Sequence, residues 1–189
     1  DINQYTGFAV RKSIPFANMP DLRINKGNHS KLRFATYITV QRPPLPELHI
    51  LNVHLKAGCS GRYKNSNNCK VLKEQGENIK KWIDDRERLD NSYIVLGDFN
   101  HNMSYPGDWL WKSISSNNSA VLTTRDVQAR CKVRSRNNKN KTHQFRNLID
   151  HIISSDDLKT KETAQHIFDT EDVLSYKLSD HCPVSTQVF

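Results

Sequence analysis

The span from Glu47 to Asn100 constrains the fold more than any other part of the chain. ELHILNVHLKAG (47 to 58) is an apolar run of strand length, and SYIVLGDFN (92 to 100) is a second one. Between them, VLKEQGENIKKWIDDRERL places Leu72, Ile79, Trp82, Ile83 and Leu89 at helical spacing with charge elsewhere, which predicts an amphipathic helix over 70 to 89. A strand, a helix and a second strand in that order point to an α/β layered domain. Upstream, KLRFATYITVQ (31 to 41) reads as an alternating strand, and YTGFAVRKS near the N-terminus reads as another. Pro43, Pro44 and Pro46 stop the 31 to 41 strand and form the connection to 47 to 58, its expected hairpin partner. Downstream, YPGDWLWKSI predicts a short helix capped near 106 to 108. WLW at 109 to 111 is read as helix packing in preference to a membrane-inserting hairpin. NLIDHIISS (147 to 155) and SDHCPVSTQVF (179 to 189) predict further strands joined through AQHIFD.

With 189 residues the chain fits one domain, 1–189, able to bury roughly two-thirds of its unfolded surface. No apolar run approaches the ~20 residues of a membrane span, and the N-terminus lacks the basic-then-apolar pattern of a signal peptide. The net charge of +8 and the pI near 9.4 favour a polyanionic partner such as nucleic acid. Between Arg125 and Arg146, eight Lys/Arg stand against the single Asp126. Either this is a solvated loop, or Arg130, Lys132, Arg134 and Arg136 grip substrate phosphates.

Four cysteines, Cys59, Cys69, Cys131 and Cys182, form no C-x-x-C pair, which argues against a zinc ribbon. Cys59 and Cys69 bracket a polar loop that a disulfide would tie, adding about 2–3 kcal/mol in the chain-entropy model. Cys131 with Cys182 is then the second bridge by elimination. Four reduced, buried thiols are the alternative. Pairing would imply an oxidising compartment, hence a secreted or periplasmic protein.

Polar residues stand at four strand ends. Asp98 and Asn100 follow the apolar IVLG, Asp150 interrupts LIDHII, Asp180 and His181 precede CPVS, and His54 sits between Val53 and Leu55. An Asp at the mouth of a core needs compensation, from a cation, a helix N-terminus or a turn. Neighbouring strands of a sheet finish side by side, so such groups converge readily in one cleft.

GDFN, LIDHI and SDHCPV, in this order with NVHLKAG ahead of them, resemble the endonuclease/exonuclease/phosphatase superfamily of metal-dependent phosphodiesterases. HLKAGC with a second Cys, then a helix containing Gln75, is most similar to a secreted bacterial branch. The resemblance implies a two-sheet, four-layer α/β/β/α sandwich. It implies Mg²⁺ or Mn²⁺ as cofactor, with Ca²⁺ a further candidate, Asp180 as a metal ligand, and Asp98 and Asn100 as catalytic residues that orient the nucleophilic water, the phosphate oxygens or the metal. His181 would take a proton from the attacking water and Asp150 would fix its tautomer. His54 would contact the scissile phosphate or protonate the leaving oxygen.

The family's first half supplies a strand with an Asn and a Gln-Glu motif whose Glu is the principal metal ligand. Neither occurs here, since Glu74-Gln75 falls on the helix after His54. The chain thus resembles the C-terminal two-thirds of the domain. It would be a piece of a longer protein, a chain completed by a separate N-terminal fragment or second chain, or a shortened relative. The expected function is a metal-dependent endonuclease acting on DNA or RNA. The alternatives are a catalytically silent nucleic-acid-binding or interaction module of the same fold, or a phosphatase- or sphingomyelinase-type phosphoesterase.

Overall fold

A computed structural model describes residues 5–25 and 34–189. Among the described residues, ten strands and three helices run in the order β1 (Phe16–Leu22), β2 (Ala35–Arg42), β3 (Leu45–His54), α1 (Asn67–Arg88), β4 (Ser92–Asp98), α2 (Trp109–Ile114), β5 (Val121–Leu122), β6 (Lys132–Arg134), β7 (Thr142–Gln144), β8 (Asp150–Ser154), β9 (Thr160–Gln165), α3 (Thr170–Ser175) and β10 (Val184–Val188). Six strands form one sheet in the order β1-β2-β3-β4-β8-β5, while β9–β10 and β6–β7 are separate two-stranded sheets.

The strand-helix-strand reading of the central segment holds. β3 and β4 are parallel, with Leu51 opposite Val95 and His54 opposite Asp98, and α1 makes the crossover. Ser66 caps α1 by accepting from the Cys69 amide at 3.3 Å, so the helix starts three residues before the predicted 70. One face of the sheet packs against α1 and α2 through fully buried Leu51, Leu72, Ile79, Ile83, Val95 and Ile153. Each such side chain contributes about 1.5–3 kcal/mol by leaving water. Leu110 and Ile114 of α2 complete that layer, so WLW packs inward as expected. On the opposite face, Leu48, Ile94 and Ile152 pack with Leu158, Val184 and Val188, which brings in the β9–β10 pair as a second sheet layer. The result is the mixed α/β sandwich expected from the sequence.

Several expectations need correction. YTGFAVRKS forms no strand. It joins no ladder, although the Thr6 hydroxyl donates to the Phe34 carbonyl at 3.3 Å and the Asn52 side chain donates to the Gly7 carbonyl at 2.8 Å, and pairing begins at Phe16. The strand predicted from 31 begins at Ala35; residues 31–33 lie outside those described. Pro46 falls inside β3, where its missing N–H is tolerated at an exposed position, and the hairpin turn is made by Pro43 and Pro44 alone. Leu89 is the C-cap of α1 and exposed.

The basic segment is not one loop. β6 and β7 pair within it, Val133 opposite His143, because alternation leaves Lys132 and Arg134 on the other face of the ribbon. AQHIFD is not a mere connection, since Ala164 and Gln165 end β9. The final strand is shorter than predicted and begins at Val184, which leaves Asp180 and His181 in the loop before it.

Candidate active site

The site is built at the tips of β4 and β8. These strands are antiparallel neighbours with Asp98 opposite Asp150, so two carboxylates fifty-two positions apart become partners across a ladder. Two features aim Asp98. Gly97 adopts φ +133°, and a Cβ there would lie 2.0 Å from the Val53 carbonyl oxygen, so only glycine fits. Phe99 is fully buried and donates its amide to the Ile149 carbonyl at 2.9 Å, pegging the chain on the other side. Asn100, at φ +51°, then turns back, its amide reaching Asp98 Oδ1 at 2.7 Å and its Nδ2 reaching Asp98 Oδ2 at 3.0 Å and the Leu55 carbonyl at 3.1 Å. The strand-end carboxylate is therefore compensated first by an Asx turn.

Three imidazole contacts complete the arrangement. His54 Nε2 lies 3.3 Å from Asp98 Oδ2. His181 Nδ1 donates to both Asp150 oxygens, at 3.0 and 2.9 Å, and its Nε2 points toward Asp98 Oδ2 at 3.9 Å. The hydrogen bond that His181 donates to Asp150 raises the His181 pKa to about 9 against a smaller opposing effect of burial, with the charges of Asp150, Asp98 and Asp180 adding to the rise. The two carboxylates thus favour the charged form of the imidazole that lies between them.

Among the described residues, Asp98, Asp150 and His181 form a group whose ligand atoms lie within 4.8 Å of one another. Hard carboxylate oxygens in a half-exposed cleft fit a divalent cation such as Mg²⁺, which takes one or two carboxylates and keeps several waters. The cleft of about 390 Å³ is also lined by Phe168, Ser179 and Pro183.

Five residues predicted from the sequence, His54, Asp98, Asn100, Asp150 and His181, thus meet in one place. Asp180 does not line this cleft. It lines an adjoining groove together with Lys132, Arg134 and Arg136, while Arg130 is absent from both linings. Cys59–Cys69 and Cys131–Cys182 are both disulfides.

Sequence reasoning missed two buried histidines that hold the site's scaffold. His151 accepts from the Met103 amide at 3.2 Å and its Nδ1 meets Thr124 Oγ1 at 2.8 Å, so burial keeps it neutral with its pKa lowered to about 4. His101 bridges the Cys59 carbonyl and Asp108 Oδ2, both at 2.6 Å, tying the GDFN loop to the disulfide loop and the cap of α2. The available signal was position: each stands beside a predicted site residue, in DHII and in FNHN. Gln75, noted on the helix, accepts from the Lys56 amide at 2.8 Å and fixes the chain just after His54.

The endonuclease/exonuclease/phosphatase family model matches residues 16–181. The endonuclease/exonuclease/phosphatase from Bacteroides vulgatus is similar with a TM-score of 0.63 at 14% identity, covering 95% of this chain and 68% of that one. The human Nocturnin catalytic domain gives 0.54 at 18% identity, over 91% and 60%. A Bacteroides thetaiotaomicron mannosyl-6-phosphatase gives 0.53 at 16%, over 82% and 57%. At these identities the likeness speaks to the fold. The chain spans 54% to 66% of the first structures it resembles. No curated protein matches the sequence. Because the matched residues carry both strand tips and the His181 loop, the chain belongs to the endonuclease/exonuclease/phosphatase family, whose members hydrolyse phosphoesters.

Proposed function

We propose that this chain carries the catalytic end of a divalent-metal phosphodiesterase that cuts nucleic acid, DNA or RNA, by attack of water on a backbone phosphate. The observation that carries the reading is the convergence of Asp98, Asp150 and His181 within 4.8 Å. Asp98 and Asp150 would hold the cation, with the Asn100 side-chain carbonyl oxygen a further donor beside Asp98. A bound cation supplies charge to the phosphate oxygens and, as a like charge beside His181, favours its neutral form. Asp150 fixes the Nδ1–H of His181, so that Nε2 faces the cleft and takes the proton of the attacking water. His54, held against Asp98, stands ready to bind the phosphate or protonate the leaving oxygen.

The excess of positive charge supports a polyanionic substrate, and Lys132, Arg134 and Arg136 beside the cleft would grip its phosphates. The two disulfides support a secreted or periplasmic setting. A preceding segment or second chain supplying a further acidic ligand would raise the activity of this chain.

Plasmid nicking tests the reading. Cutting is expected in Mg²⁺, abolished by EDTA, and reduced about 100-fold or more in His181→Ala. DNA binding without cutting in Mg²⁺ or Mn²⁺ would replace the enzyme with a silent binding module.

A further inference from the structure

A groove of about 760 Å³ adjoins the catalytic cleft, between the β6–β7 ribbon and the segment that follows α3. Ser179 lines both cavities, so groove and cleft adjoin, with His181 in the lining of the cleft and Asp180 in that of the groove. Its composition differs from that of the cleft. Arg134, Arg136 and Lys177 supply cations against the single acid Asp180, and Phe145 and Tyr176 supply aromatic surface. Tyr176 is 63% exposed and Phe145 39%, a large share for apolar rings that no described element covers. Phe145 is nevertheless held in place, because His143 meets it edge to face at 5.6 Å and its amide donates to the Cys131 carbonyl at 2.9 Å. The Cys131–Cys182 bridge fastens the ribbon to the loop that carries His181, so groove and cleft keep their relative position.

Cations beside exposed aromatic rings, one of them braced, suit a chain that presents phosphates and unstacked bases together. A duplex offers the phosphates but keeps its base faces stacked inside, whereas single strands offer both. A lipid surface would be met by apolar side chains on a protruding tip, and here the rings lie within a groove. We propose that this groove holds unpaired nucleotides next to the bond cut in the cleft, with a base laid on Tyr176 or Phe145 and phosphates on Arg134 and Arg136. The enzyme would then prefer single-stranded or locally unpaired nucleic acid. This rests on the phosphodiesterase reading of the cleft.

The test is fluorescence anisotropy in EDTA, so that binding is read without chemistry. The probes are a labelled single-stranded decadeoxynucleotide, the same sequence as a duplex, and phosphatidylcholine vesicles containing phosphatidylserine. The wild-type chain is compared with Tyr176→Ala, Phe145→Ala and the double variant Arg134→Ala/Arg136→Ala. The altered side chains lie on the surface, and thermal melts confirm that each variant keeps its fold. Single strand is expected to bind about 10-fold tighter than duplex, and each aromatic variant to lose about 5- to 20-fold on single strand only. The double variant should flatten the slope of log affinity against log salt by about 1.4. Equal affinity for duplex and single strand, unchanged affinity in both aromatic variants, or binding to vesicles but not to oligonucleotide would overturn the proposal. Cleavage in Mg²⁺ is scored separately. Cutting that is indifferent to Tyr176 and Phe145 refutes the groove alone, and expected binding without cutting refutes the catalytic reading alone.

Discussion

Gly97 decides where Asp98 points. Its φ of +133° and the 2.0 Å that would separate an added Cβ from the Val53 carbonyl leave no room for a side chain between two parallel strands. Gly97→Ala should therefore destabilise the fold by about 3 kcal/mol or more, since the backbone contact cannot yield as a flexible side chain would. Urea denaturation measures this, and a loss below about 1 kcal/mol would show that β3 and β4 separate easily. Asp98, Asn100, Asp150 and His181 are legible in the sequence because a charged group next to an apolar run is expensive unless something answers it. His101 and His151 are not legible in that way. A buried histidine satisfied by a backbone amide or carbonyl leaves no mark on the pattern of apolar residues, and its partners, Met103, Thr124 and Cys59, look ordinary in the chain.

At the scale of elements, polarity decided what could be read. α1, β3 and β4 bury an apolar stripe or run and stand out, whereas β9, with the sequence TKETAQ, fully buries none of its residues and shows no apolar run. β6 and β7 are three residues each and lie in a basic stretch, so their pairing is visible only once the Cys131–Cys182 bridge and the ladder fix it. β3 also carries a pH-sensitive contact far from the cleft. His49 is buried, and its Nδ1 faces the Tyr37 hydroxyl and the Arg86 guanidinium, the latter at 3.3 Å. Burial first, and then the charge of Arg86, lower its pKa from 6.5. The unfolded chain therefore binds a proton that the folded chain refuses once the pH falls through 6.5, so this residue's contribution makes stability fall as the pH drops below that value. His49→Gln should give a shallower decline in unfolding free energy between about pH 6.5 and 5, measured by denaturant titration at a series of pH values. Identical slopes in the two proteins would mean that His49 takes up its proton as freely folded as unfolded.

For the molecule as a whole, the site depends on strand order more than on any local signal. β4 and β8 are neighbours although α2, β5, β6 and β7 lie between them in the chain, and this adjacency sets Asp98 opposite Asp150. The loop before β10 then brings His181 onto Asp150 from the other layer of the sandwich. Spacing in the sequence could propose that these groups meet, through a family resemblance, but the register that makes them meet is a property of the assembled sheet. Asp180 shows the reach of that limit, since it is next to His181 in the chain and yet faces the groove. The central claim is that Asp98 and His181 act as parts of one metal-dependent centre. Single-turnover cleavage of an oligonucleotide in Mg²⁺, measured for the wild-type chain, Asp98→Asn, His181→Ala and the double variant, tests it most directly. Residues of one catalytic unit lose their effects together, so each single variant should fall about 100-fold or more and the double variant should stay within about 3-fold of the slower one. Losses that multiply in the double variant, or a wild-type rate unchanged by Mg²⁺, would contradict it.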